Sequence, residues 1–273
     1  LADPESETFY GMGRMASGIE VPFKGGEYYA LKDVPHGDIR MKRYYSEVSR
    51  SWRRFFVYTP AGYDTHTTEK YPVLYLLHGG GEDERGWATQ GKTDLIMDNL
   101  IAEGKAKPML IIMLDGNMAS AGFNALKAFE AELMQAIIPF VEKNYRVRKE
   151  PDSRALAGLS MGGIQTLYAG LYHTDMFAHL GVFSSGWLPF YQKIADDQYE
   201  FISKNKAAID SQLRLLWIAM GGKEDIAYQN CQNMLKEFDT LKLKYTYSEY
   251  PGGHTWPVWR NNLYHFAQLL FNK

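Results

Sequence analysis

A chain of 273 residues, 45% of them hydrophobic, has the material for one large α/β domain or at most two small ones. Its 30 basic and 32 acidic side chains leave a formal net charge of -2, without the basic excess of a nucleic-acid binder. The single cysteine, Cys231, excludes an internal disulfide and any multi-cysteine metal site.

Taken in order, residues 1–35 show little periodicity and several glycines, and they read as an extended N-terminal arm packed on the domain or a former linker. Leu1-Ala2-Asp3-Pro4-Glu5-Ser6-Glu7 is neither basic nor followed by an apolar core, so no signal peptide is expected in this chain. Gly11-Met12-Gly13 lacks the third glycine and the preceding strand of a dinucleotide fingerprint. Residues 36–273 then form the main domain. Arg40 to Tyr45 and Trp52 to Tyr58 are expected to pair as an antiparallel hairpin turning near Ser49-Arg50-Ser51. Val73 to Leu77, Met109 to Leu114 and Leu213 to Met220 are unbroken apolar runs of strand length, the pattern of strands buried on both faces.

Helical patterns alternate with these strands. Thr93 is placed to cap a helix running to Glu103, with Gly104 as its stop. Phe129, Leu133, Ile137 and Phe140 mark one face of a long helix that Pro139 should kink. Trp259, Leu263, Phe266 and Leu270 give the last helix an apolar stripe. No run approaches the roughly eighteen apolar residues of a membrane span. The alternation predicts a doubly wound, mostly parallel sheet with an antiparallel hairpin at its start.

Gly158-Leu159-Ser160-Met161-Gly162 sits between a strand and a helix. A serine that attacks a carbonyl must be lifted out of the backbone by a sharp turn, and glycines two residues either side remove the Cβ atoms that would clash. The helix starting beneath the serine aims free N–H groups at developing negative charge. The hydroxyl needs a base and an acid from later strand ends. Of seven histidines, His36 and His66 precede the sheet. His78 lies in the His-Gly-Gly-Gly run with a structural role, His173 and His179 follow the elbow helix too closely, and His265 is inside the last helix. His254, in Pro251-Gly252-Gly253-His254-Thr255-Trp256, is on the loop before the final helix and is the candidate base. Asp225 is preferred to Glu224 as the acid, with helix capping as its competing role and Asp115 as an outside candidate. Oxyanion donors are expected from the N–H groups of Met161 and Gly80.

Tyr71 to Glu82, Gly158 to Gly163, Gly222-Lys223-Glu224-Asp225 and Gly252 to Trp256 together resemble the α/β-hydrolase esterases of carbohydrate esterase family 1. That group includes feruloyl esterases, acetyl xylan esterases, esterase D and mycolyltransferases, and the likeness is nearest to feruloyl esterases of gut and rumen bacteria. The resemblance implies a Ser160–Asp225–His254 triad, an oxyanion hole at Gly80 and Met161, and no metal or organic cofactor. It implies a serine esterase acting on feruloyl esters of arabinoxylan through an acyl-enzyme. The substrate would be a small-molecule or polysaccharide-linked ester, with no nucleic-acid or membrane partner. It further implies export to the periplasm or outside the cell, and an N-terminal β-sandwich module in a longer protein, to which residues 1–35 would be the joining tail.

Trp87, Trp187 and Trp256 are the candidate substrate-binding aromatics, suited to stacking on a hydroxycinnamoyl ring, with the segment from Ser184 to Ile209 as the place for an acyl pocket or lid. The competing functions are an acetyl xylan esterase, a small-thioester hydrolase, an acyltransferase and, outside enzymes, an inactive carbohydrate-binding module.

Overall fold

The structure is a computed structural model that describes residue 3, residues 6–21 and residues 24–272; of the expected arm, residues 1, 2, 4, 5, 22 and 23 lie outside the described residues. The apolar runs form the heart of the sheet. Strands β5 (Val73–Leu77), β6 (Leu110–Leu114), β7 (Arg154–Leu159) and β8 (His179–Phe183) are buried at every position. Strand β9 (Leu215–Met220) is buried at all but its first residue. β10 (Thr246–Glu249) closes one edge of the sheet. β3 (Asp38–Ser46) and β4 (Ser51–Thr59) close the other as an antiparallel hairpin, longer by a few residues than its sequence pattern suggests.

The eight strands lie in the order β10-β9-β8-β7-β5-β6-β4-β3. The six from β10 to β6 run parallel, and β4 pairs antiparallel with β6. This is the expected doubly wound sheet. Side chains alternate between its faces with the period of the strand. Val73, Tyr75 and Leu77 enter one hydrophobic core and Leu74 and Leu76 the other, and β6 divides in the same way. The first core is covered by helices α2 (Ala125–Glu132), α3 (Ile138–Asn144), α4 (Met161–Tyr172), α5 (Gln192–Gln212) and α6 (Tyr228–Thr240). The second is covered by α1 (Thr93–Ala102) and α7 (Trp256–Leu269).

Two helix details depart from the sequence pattern. Thr93 is the first residue of α1, not its cap: Lys92 precedes the helix in a left-handed conformation, φ 50°, and the Thr93 hydroxyl donates to the Trp87 carbonyl at 2.8 Å. Gly104 stops the helix as expected, with φ +67°. The kink at Pro139 takes the form of a wider π turn at Leu133–Ile137, between α2 and α3. Proline lacks the N–H that would reach back to the carbonyl four residues earlier, and the widened turn accommodates the loss.

Residues 7–18 are not simply extended. They form a second hairpin, β1 (Glu7–Gly11) and β2 (Arg14–Gly18), whose two central turn residues, Met12 and Gly13, both have positive φ. Its tip docks on the loop after β5, where the Gly13 N–H donates to the Gly81 carbonyl at 3.0 Å. Gln90 donates to the Tyr10 carbonyl at 2.8 Å, Arg85 lies over the Tyr10 ring at 4.4 Å, and Lys92 pairs with Glu7 at 2.6 Å.

Candidate active site

Ser160 occupies the turn between β7 and α4 with φ 52° and ψ -114°. A non-glycine residue held there stores on the order of 1–3 kcal/mol of strain, which neighbouring bonds must offset. Here the Ser160 N–H donates to the Phe183 carbonyl at 2.9 Å, and its own carbonyl accepts from the Ile164 N–H at 3.1 Å and the Ser185 hydroxyl at 2.7 Å. The flanking glycines are obligatory. A Cβ on Gly158 would meet the Gly162 carbonyl carbon and oxygen at 2.5 Å, and one on Gly162 would meet the His78 carbonyl at 2.6 Å. The side chain of Ser160 remains half-buried rather than enclosed.

The loop after β5 passes directly beside this turn. A Cβ on Gly79 would be 3.3 Å from the Ser160 Cβ, while one on Gly80 would meet nothing within 4 Å. Among the described residues the Gly80 N–H makes no hydrogen bond, and Met161, first residue of α4, has no carbonyl further up the helix to receive its N–H. His78 anchors the loop from below. Its Nδ1–H donates to the Gly79 carbonyl at 2.8 Å and its Nε2 accepts from the Gly116 N–H at 3.1 Å. Gln165 of α4 then donates to the Gly116 carbonyl at 2.6 Å, tying the loop to the elbow helix.

Asp225 and His254 meet across the ends of β9 and β10. His254 Nδ1 lies 2.8 Å from Asp225 Oδ1, and because a carboxylate only accepts, Nδ1 carries the proton and Nε2 is left as the basic nitrogen. The Asp225 carboxylate is buried, and His254 is 17% exposed. Burial alone would raise the Asp225 carboxyl. The His254 hydrogen bond, the Ser184 hydroxyl and the Ala227 N–H outweigh it and hold the pKa below the ordinary 3.8. Glu224 turns instead toward Gly222 and Gly253. Asp115, the outside candidate, serves the anchor: its carboxylate is 3.5 Å from both His78 Nε2 and Arg53.

Among the described residues, the other histidines are occupied elsewhere or set apart. His36 pairs with Asp98 at 2.8 Å, His173 with Glu130 at 2.5 Å, and His265 stacks on Tyr250. Trp87 requires a correction. It is 1% exposed, its N–H donates to the Leu77 carbonyl at 2.9 Å, and its ring is packed against Phe183 and Trp256, so it has no face for a ligand. Trp187 is also largely buried, on the loop after β8, but its N–H has no partner among the described residues.

Trp256 is half-buried two residues beyond His254, and its N–H donates to Glu82 Oε1 at 2.8 Å. The other Glu82 oxygen faces the Gly79 N–H at 3.4 Å. This link between the glycine loop and the histidine loop is not apparent in the sequence beyond the position of Glu82 immediately after the glycines. Burial pushes the Glu82 carboxyl above its ordinary range. Among the described residues, no group of three or more His, Cys, Asp or Glu side chains is placed to hold a metal ion, and no helix is long and apolar enough to cross a membrane.

An elbow serine, a loop of glycine N–H groups beside it and a carboxylate-bound imidazole at the carboxyl end of a parallel sheet define a carboxylic ester hydrolase of the α/β-hydrolase class. The family model described as "Putative esterase" matches residues 46–268, and the chain belongs to that family. The chain is 35% identical to an "Endo-1,4-beta-xylanase/feruloyl esterase" of Xylanibacter ruminicola, over 98% of its own length and 36% of that protein's. It is 26% identical to "Endo-1,4-beta-xylanase Y" of Acetivibrio thermocellus, over 89% of this chain and 24% of that one. The chain thus spans about a third or less of these curated relatives. Among solved structures, it resembles a family 1 ferulic acid esterase of Anaeromyces mucronatus in complex with ferulic acid. The TM-score is 0.77 at 26% identity, covering 90% of this chain and 95% of that one. The feruloyl esterase module of Clostridium thermocellum, complexed with sinapinate, gives 0.76 at 25%, covering 98% and 95%.

Proposed function

We propose that this chain is a serine esterase that releases hydroxycinnamoyl groups, feruloyl foremost, from plant cell-wall arabinoxylan. The observation that carries the chemistry is the 2.8 Å bond between Asp225 and His254 on the rim where Ser160 is held at positive φ. The acyl group is supported by the names of the relatives, which are xylanases and ferulic acid esterases.

Ser160 Oγ attacks the ester carbonyl carbon as His254 Nε2 takes its proton, and Asp225 stabilises the resulting imidazolium. The carbonyl π electrons move onto oxygen, where the N–H groups of Gly80 and Met161 receive them. Collapse of the tetrahedral species breaks the bond to the alcohol oxygen, which leaves with the proton held by His254. Water then repeats the sequence on the acyl-serine, giving the free acid and restoring Ser160. We assign Trp187, on the loop after β8, and Trp256, at the start of α7, to the border of the acyl site.

The greater length of the curated relatives supports a further module in the complete protein, and their xylan-degrading names support export from the cell. The test compares methyl ferulate and p-nitrophenyl acetate with wild type and Ser160→Ala. The expected outcome is a kcat/KM preference for the ferulate and a loss of about 10⁴-fold or more in the variant. A preference for acetate would reassign the enzyme to acetyl removal, and an undiminished Ser160→Ala rate would refute the nucleophile.

A further inference from the structure

The outer face of the β3–β4 hairpin carries two open aromatic rings and two arginines. The register sets Arg43 opposite Arg54 and Tyr45 opposite Trp52, so these four side chains share one face. Trp52 is 72% exposed and Tyr45 47%, with their rings edge to face at 5.8 Å. An indole left this open gives up the stabilisation that burial would supply, and two guanidinium groups directly opposite each other repel.

Beside this strip opens a cavity of about 350 Å³, lined by Arg43, Trp52, Arg53, Arg54, Asp83, Glu84 and their neighbours. Asp83 and Glu84 follow directly on the glycine loop, and the start of β4 lies at the same carboxyl end of the sheet as Ser160. Three strand spacings separate β4 from β7, roughly 14 Å. An ester substrate much larger than its acyl group would reach from one to the other.

The lining specifies the ligand's class. Three guanidinium groups face three carboxylates, those of Asp83, Glu84 and Asp115, so the cavity offers no net charge to an anion. Arg54 is engaged by Glu84, and Arg53 by Asp115, whereas Arg43 makes no ion pair among the described residues. Paired charged groups arrayed beside an open aromatic ring are complementary to a molecule with a C–H face and a rim of hydroxyls. We propose that the cavity beneath Trp52 is a subsite for the neutral saccharide portion of the ester substrate, with Trp52 as its stacking platform and Arg43 as its free donor. The proposal rests on the esterase function above and adds a glycan site to it.

Trp52→Ala and Arg43→Ala are compared with wild type on methyl ferulate and on a feruloylated arabinoxylo-oligosaccharide, with melting temperature as the check on folding. Trp52→Ala should raise KM for the oligosaccharide ester about tenfold with kcat little changed, and Arg43→Ala should raise it less. Both should keep kcat/KM for methyl ferulate within about twofold. Equal losses on both esters would assign Trp52 to the acyl group, and no loss on either would leave the cavity without a role; each result overturns the proposal. Xylotetraose binding to Ser160→Ala, followed by tryptophan fluorescence, reads the subsite without turnover. Binding that Trp52→Ala abolishes supports the subsite even if wild type cleaves neither ester, a result that would overturn only the esterase function. Xylotetraose binding that Trp52→Ala leaves intact overturns the subsite alone.

Discussion

Glu82 holds two loops with one carboxyl group. One oxygen receives the Trp256 N–H at 2.8 Å and the other faces the Gly79 N–H at 3.4 Å, so it fixes the spacing between the glycine loop and the segment carrying His254. It acts through these neighbours and is a positioning residue. Glu82→Ala should lower kcat by about 10–100-fold with KM nearly unchanged, because a shift of about an ångström in donor position is felt in the transition state. Glu82→Gln keeps an acceptor for Trp256 and should restore most of the rate. A Glu82→Ala variant that lost KM and kept kcat would place Glu82 against substrate instead. The triad candidates were legible at this scale because elbow glycines and strand-end loops leave local signatures. Glu82 was not, since its partner lies 174 residues away. Trp87 misled because an aromatic beside a glycine loop has the same sequence signature whether its ring faces the ligand or the core.

The β3–β4 hairpin is held to the helical layer by a carboxyl group buried beneath it. Glu132 of α2 is fully buried, and it accepts from the Tyr44 hydroxyl at 2.8 Å and the Ser46 hydroxyl at 2.6 Å. Arg53 Nε lies 3.7 Å away. Glu132→Ala would leave two buried hydroxyls without their acceptor and remove a carboxylate beside Arg53, and should destabilise the protein by about 2–4 kcal/mol in denaturant unfolding. A loss below about 1 kcal/mol would show that these bonds do not hold the hairpin. The hairpin itself was legible from its sequence, since two aromatic-rich runs flank the short polar turn at Ser49-Arg50-Ser51. Strands β1 and β2 were not: they are exposed or half-exposed along their length, so burial imposes no alternation on them. The left-handed Lys92 before α1 was likewise hidden, because Thr93 looks like a cap until its hydroxyl is seen bonded to Trp87.

Over the whole molecule, the parallel sheet was the most legible feature, because strands buried on both faces must be apolar throughout. The same burial shapes the acid limb of stability. Asp225 has its folded pKa depressed below 3.8 by His254, Ser184 and the Ala227 N–H, against the opposing effect of burial. A depressed carboxylate stabilises the fold above its unfolded pKa, and that contribution is lost as pH falls through the folded value. Wild type should therefore lose melting temperature more steeply below pH 3.8 than Asp225→Asn, which carries no such proton. Parallel acid limbs for the two proteins would show that Asp225 is not held ionised in the folded state.

All of the chemistry depends on an activated hydroxyl at position 160. The direct measurement is intact-mass and peptide-mass analysis after a brief exposure to a fluorophosphonate, which phosphonylates activated serines. One adduct is predicted, on the peptide that contains Ser160, formed in wild type and absent from both Ser160→Ala and His254→Ala. An adduct on another residue, or labelling of Ser160 that survives His254→Ala undiminished, would contradict it.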